Sequence, residues 1–165
     1  MSLYKFYDFF FSNKIEKDIF EILKKTKTSK VINVFDLGCF EGSFSKRLNE
    51  FLKSKYKTSF YLFDPNPRIE NKLRQLNFKY KFFNTAINNL EGKKNFFINT
   101  QFEASGSSLL PIVKNSKLYN FSRKVFFLTS KPLFKKIKVN VKTLSYFIKL
   151  NKVKKIDILK IDCEG

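Results

Sequence analysis

The segment Asp36-Leu37-Gly38-Cys39-Phe40-Glu41-Gly42 closes a short apolar run and opens a helical pattern. In open α/β sheets ligands settle outside such strand ends. Glycine there permits close backbone approach, and the free N–H groups of a helix start suit a polar or anionic ligand. The spacing is D-x-G-x-x-x-G rather than G-x-G-x-x-G, so a pyrophosphate is not specifically signalled. A tight turn that needs glycine would use the same residues. The second acidic position, Asp64, opens Asp64-Pro65-Asn66-Pro67 at the end of the next predicted strand, 28 residues after Asp36. A carboxylate at that place can accept hydrogen bonds from both ribose hydroxyls of a nucleoside. A turn or helix N-cap before proline would also call for Asp. Taken together, the two positions describe a pocket for an adenosine-containing ligand, and S-adenosylmethionine fits that description.

The third acidic position follows a later strand, Ile156 to Ile161, which ends in Asp162-Cys163-Glu164-Gly165. The chain has no histidine, so any general base must be a carboxylate or a lysine. Asp162 is the candidate to position or deprotonate an acceptor hydroxyl, with Lys160 or Glu164 in support; ordering of the loop and cofactor is its alternative role. Cys39 and Cys163 follow neighbouring predicted strands, so their sulfurs could approach. Two unpaired thiols are the expected state in a reducing cytoplasm. With no His and no C-x-x-C, no metal site is signalled.

The elements that must position these residues follow from periodicity. Ile15, Ile19, Ile22 and Leu23 fall on one helical face within an N-terminal helical segment, residues 1–30. Lys24, Lys25 and Lys27 suit its C-terminal end. This helix is expected to pack on the edge of a sheet; contact of Phe6, Phe9, Phe10 and Phe11 with a membrane surface is a weaker alternative. From residue 31 a strand at Val31–Phe35 precedes a helix through Phe44, Leu48, Phe51 and Leu52. A strand at Thr58–Phe63 precedes a helix through Ile69, Leu73 and Leu76. A third strand lies near Tyr80–Phe83. Strands alternating with helices predict βαβ units and a parallel sheet. The stretch 95–142 is less regular, with strands at Asn95–Ile98 and Ile137–Val141 around a loop holding Gly106, Ser107 and Ser108. A helix over Leu144–Leu150 precedes the last strand.

At this point the sequence resembles the FkbM-type S-adenosylmethionine-dependent methyltransferases. The glycine motif matches Asp36-Leu37-Gly38 followed by Gly42, and the aromatic-acid-Pro-Asn-Pro motif is Phe63-Asp64-Pro65-Asn66-Pro67. An Asn-x-Ala element and a following Gly are similar to Asn84-Thr85-Ala86 and Gly92, and the paired serine before leucine to Ser107-Ser108-Leu109. Val139-Asn140-Val141-Lys142-Thr143-Leu144 resembles the V-x-V-x-T-L element, and Ile156 through Gly165 the family's last motif. Each motif is short; six in the correct order are specific. The resemblance implies a Rossmann-like class I methyltransferase domain over residues 31–165, an α/β fold with strand order 3-2-1-4. It implies S-adenosylmethionine as cofactor, held by Asp36, Gly38, Gly42, Asp64, Asn66, Asn84 and Ala86, and a hydroxyl on a sugar, polysaccharide or natural product as acceptor. Cys39, Phe40 and Glu41 depart from the small and amide residues usual between the glycines; Phe40 would narrow the methionine end of the pocket or pack outward. The resemblance also implies further strands after Gly165, so the sheet reads as truncated after its fourth core strand and the chain as a fragment, with a naturally shortened variant as the alternative.

The chain of 165 residues carries 33 basic against 14 acidic side chains, a net charge of +19. Such a balance ordinarily points to nucleic acid or an anionic membrane. Here only 4 of the 33 are Arg, the side chain suited to bidentate phosphate recognition, while Phe (22), Asn (15) and Ile (13) are inflated too. Lys, Asn, Phe and Ile share A/T-rich codons, so coding bias accounts for most of the charge and a nucleic-acid partner is disfavoured. No stretch approaches the ~18–20 apolar residues of a membrane span, and no secretory signal is evident. A nucleic-acid methyltransferase and an inactive nucleoside-binding remnant stay as rival readings. The acceptor and the oligomeric state are not legible.

Overall fold

A computed structural model describes residues 18–19, 21–23, 25, 31–100, 107–110 and 134–163. In chain order its elements are β1 (Val31–Leu37), α1 (Ser43–Leu52), β2 (Lys57–Phe63), α2 (Ile69–Leu73), β3 (Tyr80–Phe83), β4 (Ala86–Ile87), β5 (Gly92–Asn99), β6 (Phe134–Lys142), α3 (Leu144–Leu150) and β7 (Ile158–Ile161). They form a mixed α/β structure. Among the described residues one sheet is wholly parallel, in the order β3-β2-β1-β7.

β1 and β2 read as near-continuous apolar runs because both faces of their sheet are covered. On one face Ile32, Val34, Phe60 and Leu62 meet Leu48 and Leu52 of α1 and Ile69 and Leu73 of α2. On the other, Phe35, Leu37, Tyr61 and Phe63 pack against Phe147 of α3. Much of the inflated phenylalanine content works here. The Phe63 ring lies 5.8 Å from that of Phe35 and 5.0 Å from those of Phe83 and Phe147, and rings so arranged add to simple burial. β7 is an edge strand among the described residues, with Leu159 and Ile161 exposed.

The irregular middle resolves into a second sheet, ordered β4-β6-β5. β4 runs parallel to β6 and β5 antiparallel to it, and both long strands extend past the boundaries expected from sequence. Alternate residues Phe96, Ile98, Val139 and Val141 form its core with Ala86, the period-2 pattern of a half-buried ribbon. Ser108 pairs with Phe97, its N–H donating to the Phe97 carbonyl at 3.1 Å.

Two local expectations need correction. In the N-terminal helix Leu23 is buried and Ile19 packs on the main core, but Ile22 is 63% exposed, so the apolar stripe is narrower than its spacing suggested. Ile15, Lys24, Lys27 and the four N-terminal phenylalanines lie outside the described residues. The helix expected through Leu76 ends as the single turn α2; Leu76 still reaches the core from the turn that follows, its N–H on the Leu73 carbonyl at 2.9 Å. Among the described residues, no helix is long and apolar enough to cross a membrane.

Candidate active site

The carboxyl ends of β1, β2, β3 and β7 are laced together by backbone hydrogen bonds. Gly38 and Cys39 donate to the Phe63 carbonyl at 2.9 and 3.1 Å, Asp64 N–H to Phe83 at 3.3 Å, and Asp162 N–H to Leu37 at 2.9 Å. Parallel register alone therefore brings Asp36, Asp64 and Asp162 to one edge of the sheet. Gly38 has φ +74°, and a Cβ there would overlap the Asp162 backbone carbonyl. Only glycine allows the end of β7 to close over the β1 turn. Gly42, at φ +73°, has another role: a Cβ would press on Leu76 and Leu73 at 2.8 and 3.0 Å. The second glycine thus lets α1 start against the α2 turn.

Asp36 is wholly buried, and both its oxygens are engaged. Ser45 donates its hydroxyl to Oδ2 at 2.7 Å, and the Lys160 ammonium reaches Oδ1 at 3.2 Å. These contacts give Asp36 a structural role, in which a compensated buried charge ties β1, α1 and β7 together. Ser45 was not singled out from sequence. Its signal was its place on the buried stripe of α1 with Leu48, Asn49 and Leu52, where a lone hydroxyl needs a partner.

Lys160 also pairs with Asp162 at 3.2 Å and approaches the Gly38 carbonyl at 3.5 Å. Burial would lower its pKa, but the Asp36 and Asp162 carboxylates outweigh that and raise it. Lys160 is an ammonium at neutral pH and no general base. It acts as a strut between one wholly buried carboxylate and one that is 73% exposed.

Asp64 is the contrasting case. It is buried and touches no cation among the described residues; its Oδ2 accepts from Phe40 N–H at 3.2 Å and its Oδ1 from Asn66 N–H at 2.9 Å. Burial pushes its carboxyl up to about 6, against the two N–H donors and with a small contribution from the Asp36 charge. Asn84 is exposed and donates Nδ2 to the Asp64 carbonyl at 2.9 Å, so it braces the loop. Asn66 is 2% exposed; Arg68 N–H on its Oδ1 fixes its orientation, and its Nδ2 finds no acceptor among the described residues. Ala86 stands apart from these groups, inside the small-sheet core. Glu164 lies outside the described residues.

Phe40 takes φ +47°, uncommon for a non-glycine residue. That conformation aims its N–H at Asp64. The side chain neither packs outward nor stands alone: it contacts both the main core and the small-sheet core, with Lys72 5.1 Å above the ring and Lys72 paired to Glu41. Cys39 is buried, and burial together with the Asp36 and Asp64 charges pushes its thiol well up, so it is no nucleophile. Cys39 and Cys163 are both free.

The parallel α/β sheet thus presents a glycine turn and a buried carboxylate, without an ion-pair partner among the described residues, on adjacent strand ends, the place where open α/β sheets take their ligands. The family model described as the methyltransferase FkbM domain matches residues 36–165, and the chain belongs to that family of methyltransferases. No curated protein and no solved structure matches the chain.

Proposed function

We propose that this protein is an S-adenosylmethionine-dependent methyltransferase with a Rossmann-like domain, and that it O-methylates a hydroxyl on a sugar, polysaccharide or natural product. The observation that carries the reading is Asp64, a buried carboxylate at the end of β2 with a backbone donor on each oxygen and no counter-ion among the described residues. A carboxylate has about four acceptor positions. Two are filled, and two remain for a pair of vicinal hydroxyls. The unpartnered Nδ2 of Asn66 supplies a donor nearby in the chain. On both counts these residues fit an adenosine-type cofactor.

When bound, the cofactor supplies a methyl group on a positively charged sulfur, which passes to the acceptor by in-line displacement. Asp64 would hold the ribose, and the N–H-bearing turn Gly38–Phe40, fixed against Phe63, would keep the site in place for the acceptor. Alignment of this kind supplies much of the acceleration. Asp162, exposed at the end of β7 and oriented by Lys160, takes the proton of the acceptor hydroxyl. We place it in the cytoplasm, since two cysteines in 165 residues make no disulfide framework.

Titration calorimetry of the whole chain with S-adenosylmethionine and S-adenosylhomocysteine tests the cofactor. Saturable binding that disappears in Asp64→Ala is expected, and heats no different from dilution would overturn the reading. Transfer of labelled methyl to a panel of free sugars and polysaccharides tests the acceptor.

A further inference from the structure

The outer face of the small sheet has no role in the site above, and its composition is one-sided. Residues on β5 and β6 that point away from the Phe96–Val139 core meet across the ladder: Phe97 faces Lys136, Asn95 faces Lys138, and Lys93 faces Asn140. Of these, Lys93, Asn95, Phe97, Lys136 and Lys138, with Lys94 and Leu109, line a concavity of about 570 Å³ that includes none of the strand-end carboxylates. Lys93, Lys94, Lys136 and Lys138 are exposed and make no ion pair among the described residues, and neither strand contains an acidic residue. Acidic side chains pair lysines at the rims of this sheet and elsewhere, as Glu91 does with Lys142 at 2.8 Å and Asp157 with Lys155. Coding bias can raise the number of lysines. It does not gather four of them, with no acidic partner among the described residues, around a partly exposed phenylalanine.

We propose that this concave face binds an acidic polysaccharide, which would make the acceptor of the methyl-transfer reading an anionic polymer gripped away from the strand-end site. The inference rests on that reading for the polymer's role, but the binding itself can be measured without it. Each part of the face has a use. Lysine ammoniums are compact charges suited to single carboxylates spaced along a chain, in contrast to the planar fork of arginine. The Phe97 ring offers an apolar plane for a sugar's C–H face, and Asn95 offers its amide to the hydroxyls. The continuous β-ribbon, with lysines at alternate positions of β6, tracks a linear polymer rather than a compact anion.

The test uses the whole chain and a fluorescent polygalacturonate oligosaccharide, with neutral dextran and a poly-dT oligonucleotide of matched charge beside it. Polygalacturonate binds and dextran does not, and binding weakens steeply with salt. Lys93/Lys136/Lys138→Gln lowers affinity on the order of 10- to 100-fold at low salt. Lys46/Lys79/Lys149→Gln removes the same charge from exposed sites elsewhere and changes affinity by less than about threefold, the screened long-range remainder. Phe97→Ala weakens binding several-fold without changing the salt slope. Equal losses in the two triple variants mean diffuse attraction by net charge and overturn the proposal, as does the absence of polygalacturonate binding. Tighter binding of poly-dT also overturns it, in favour of a nucleic-acid surface. Titration with S-adenosylhomocysteine runs in parallel. If that ligand fails to bind while polygalacturonate binds at this face, the methyl-transfer reading falls and the surface stands.

Discussion

Asp64→Asn isolates the group on which the cofactor site turns. The carboxyl rises from the ordinary aspartate value to about 6 in the folded chain, chiefly because it is buried. A carboxyl whose folded pKa is raised favours folding when protonated. That contribution is complete below the ordinary aspartate pKa and is lost as pH climbs through about 6. The full shift corresponds to about 3 kcal/mol, of which about 2 falls between pH 4.5 and pH 7.5. Asparagine cannot ionise. Its amide can still accept one of the two backbone N–H bonds, and the other is lost at a cost of ~1–3 kcal/mol that does not vary with pH. The difference in unfolding free energy between wild type and variant should therefore drift by about 2 kcal/mol across that interval, with wild type losing ground as pH rises. Urea denaturation at several pH values measures it. S-adenosylhomocysteine should reverse the drift in wild type alone, because hydroxyl donors favour the ionised carboxylate, and its affinity should fall as pH drops through about 6. Parallel stability curves for the two proteins would refute the premise that Asp64 is a desolvated, uncompensated charge.

The same geometry makes three shorter predictions. Gly38→Ala combines a left-handed φ with a Cβ overlapping the Asp162 carbonyl; a loss of ~2–4 kcal/mol in denaturant unfolding is expected, together with loss of cofactor binding. Lys160→Met leaves Asp36 buried with Ser45 as its remaining partner and should cost ~3–5 kcal/mol, whereas Lys160→Arg keeps the charge and should recover part of that stability. Asp162→Asn, on a side chain 73% exposed, should leave the melting temperature within a few degrees and cofactor affinity nearly unchanged, while turnover falls ~10²–10⁴-fold; unchanged turnover removes Asp162 from the chemistry.

What was legible in the sequence was local. Val31–Phe35 and Thr58–Phe63 announce themselves as strands because both faces are covered and the runs are apolar throughout. The ends of those strands, Asp36-Leu37-Gly38 and Asp64-Pro65-Asn66, are where the candidate site lies. The placement of β7 beside β1 came through family resemblance, since it joins Leu37 to Asp162 across more than 120 residues and no short-range pattern encodes such a pairing. The division of labour among the acids was not legible for the same reason. Asp36 looks like a ligand group until Ser45 and Lys160 are brought to it, one from a helix face and one from a distant strand. The small sheet was half visible. Its two long strands carry period-2 patterns, whereas Ala86–Ile87 is too short to signal a strand and acquires one only by pairing with β6.

The contrast between Asp36 and Asp64 bears on whether the second is a turn residue or a ligand group. Asp64 does close a local turn, since its Oδ1 accepts the Asn66 N–H two residues on. An asparagine would close that turn through its carbonyl oxygen with no buried charge. Thirty-three basic side chains are available in this chain, and Lys160 is already held at the neighbouring carboxylate. A second cation beside Asp64 would lower its pKa and stabilise the fold, yet the described residues place none there. A counter-ion would also occupy the acceptor positions that a pair of hydroxyls needs. Burial of Asp64 with no ion-pair partner among the described residues is what the proposed cofactor site requires and what a turn alone does not. One carboxylate is neutralised to build the strand ends, and on the proposed reading its neighbour is left short of donors so that a ligand can complete it.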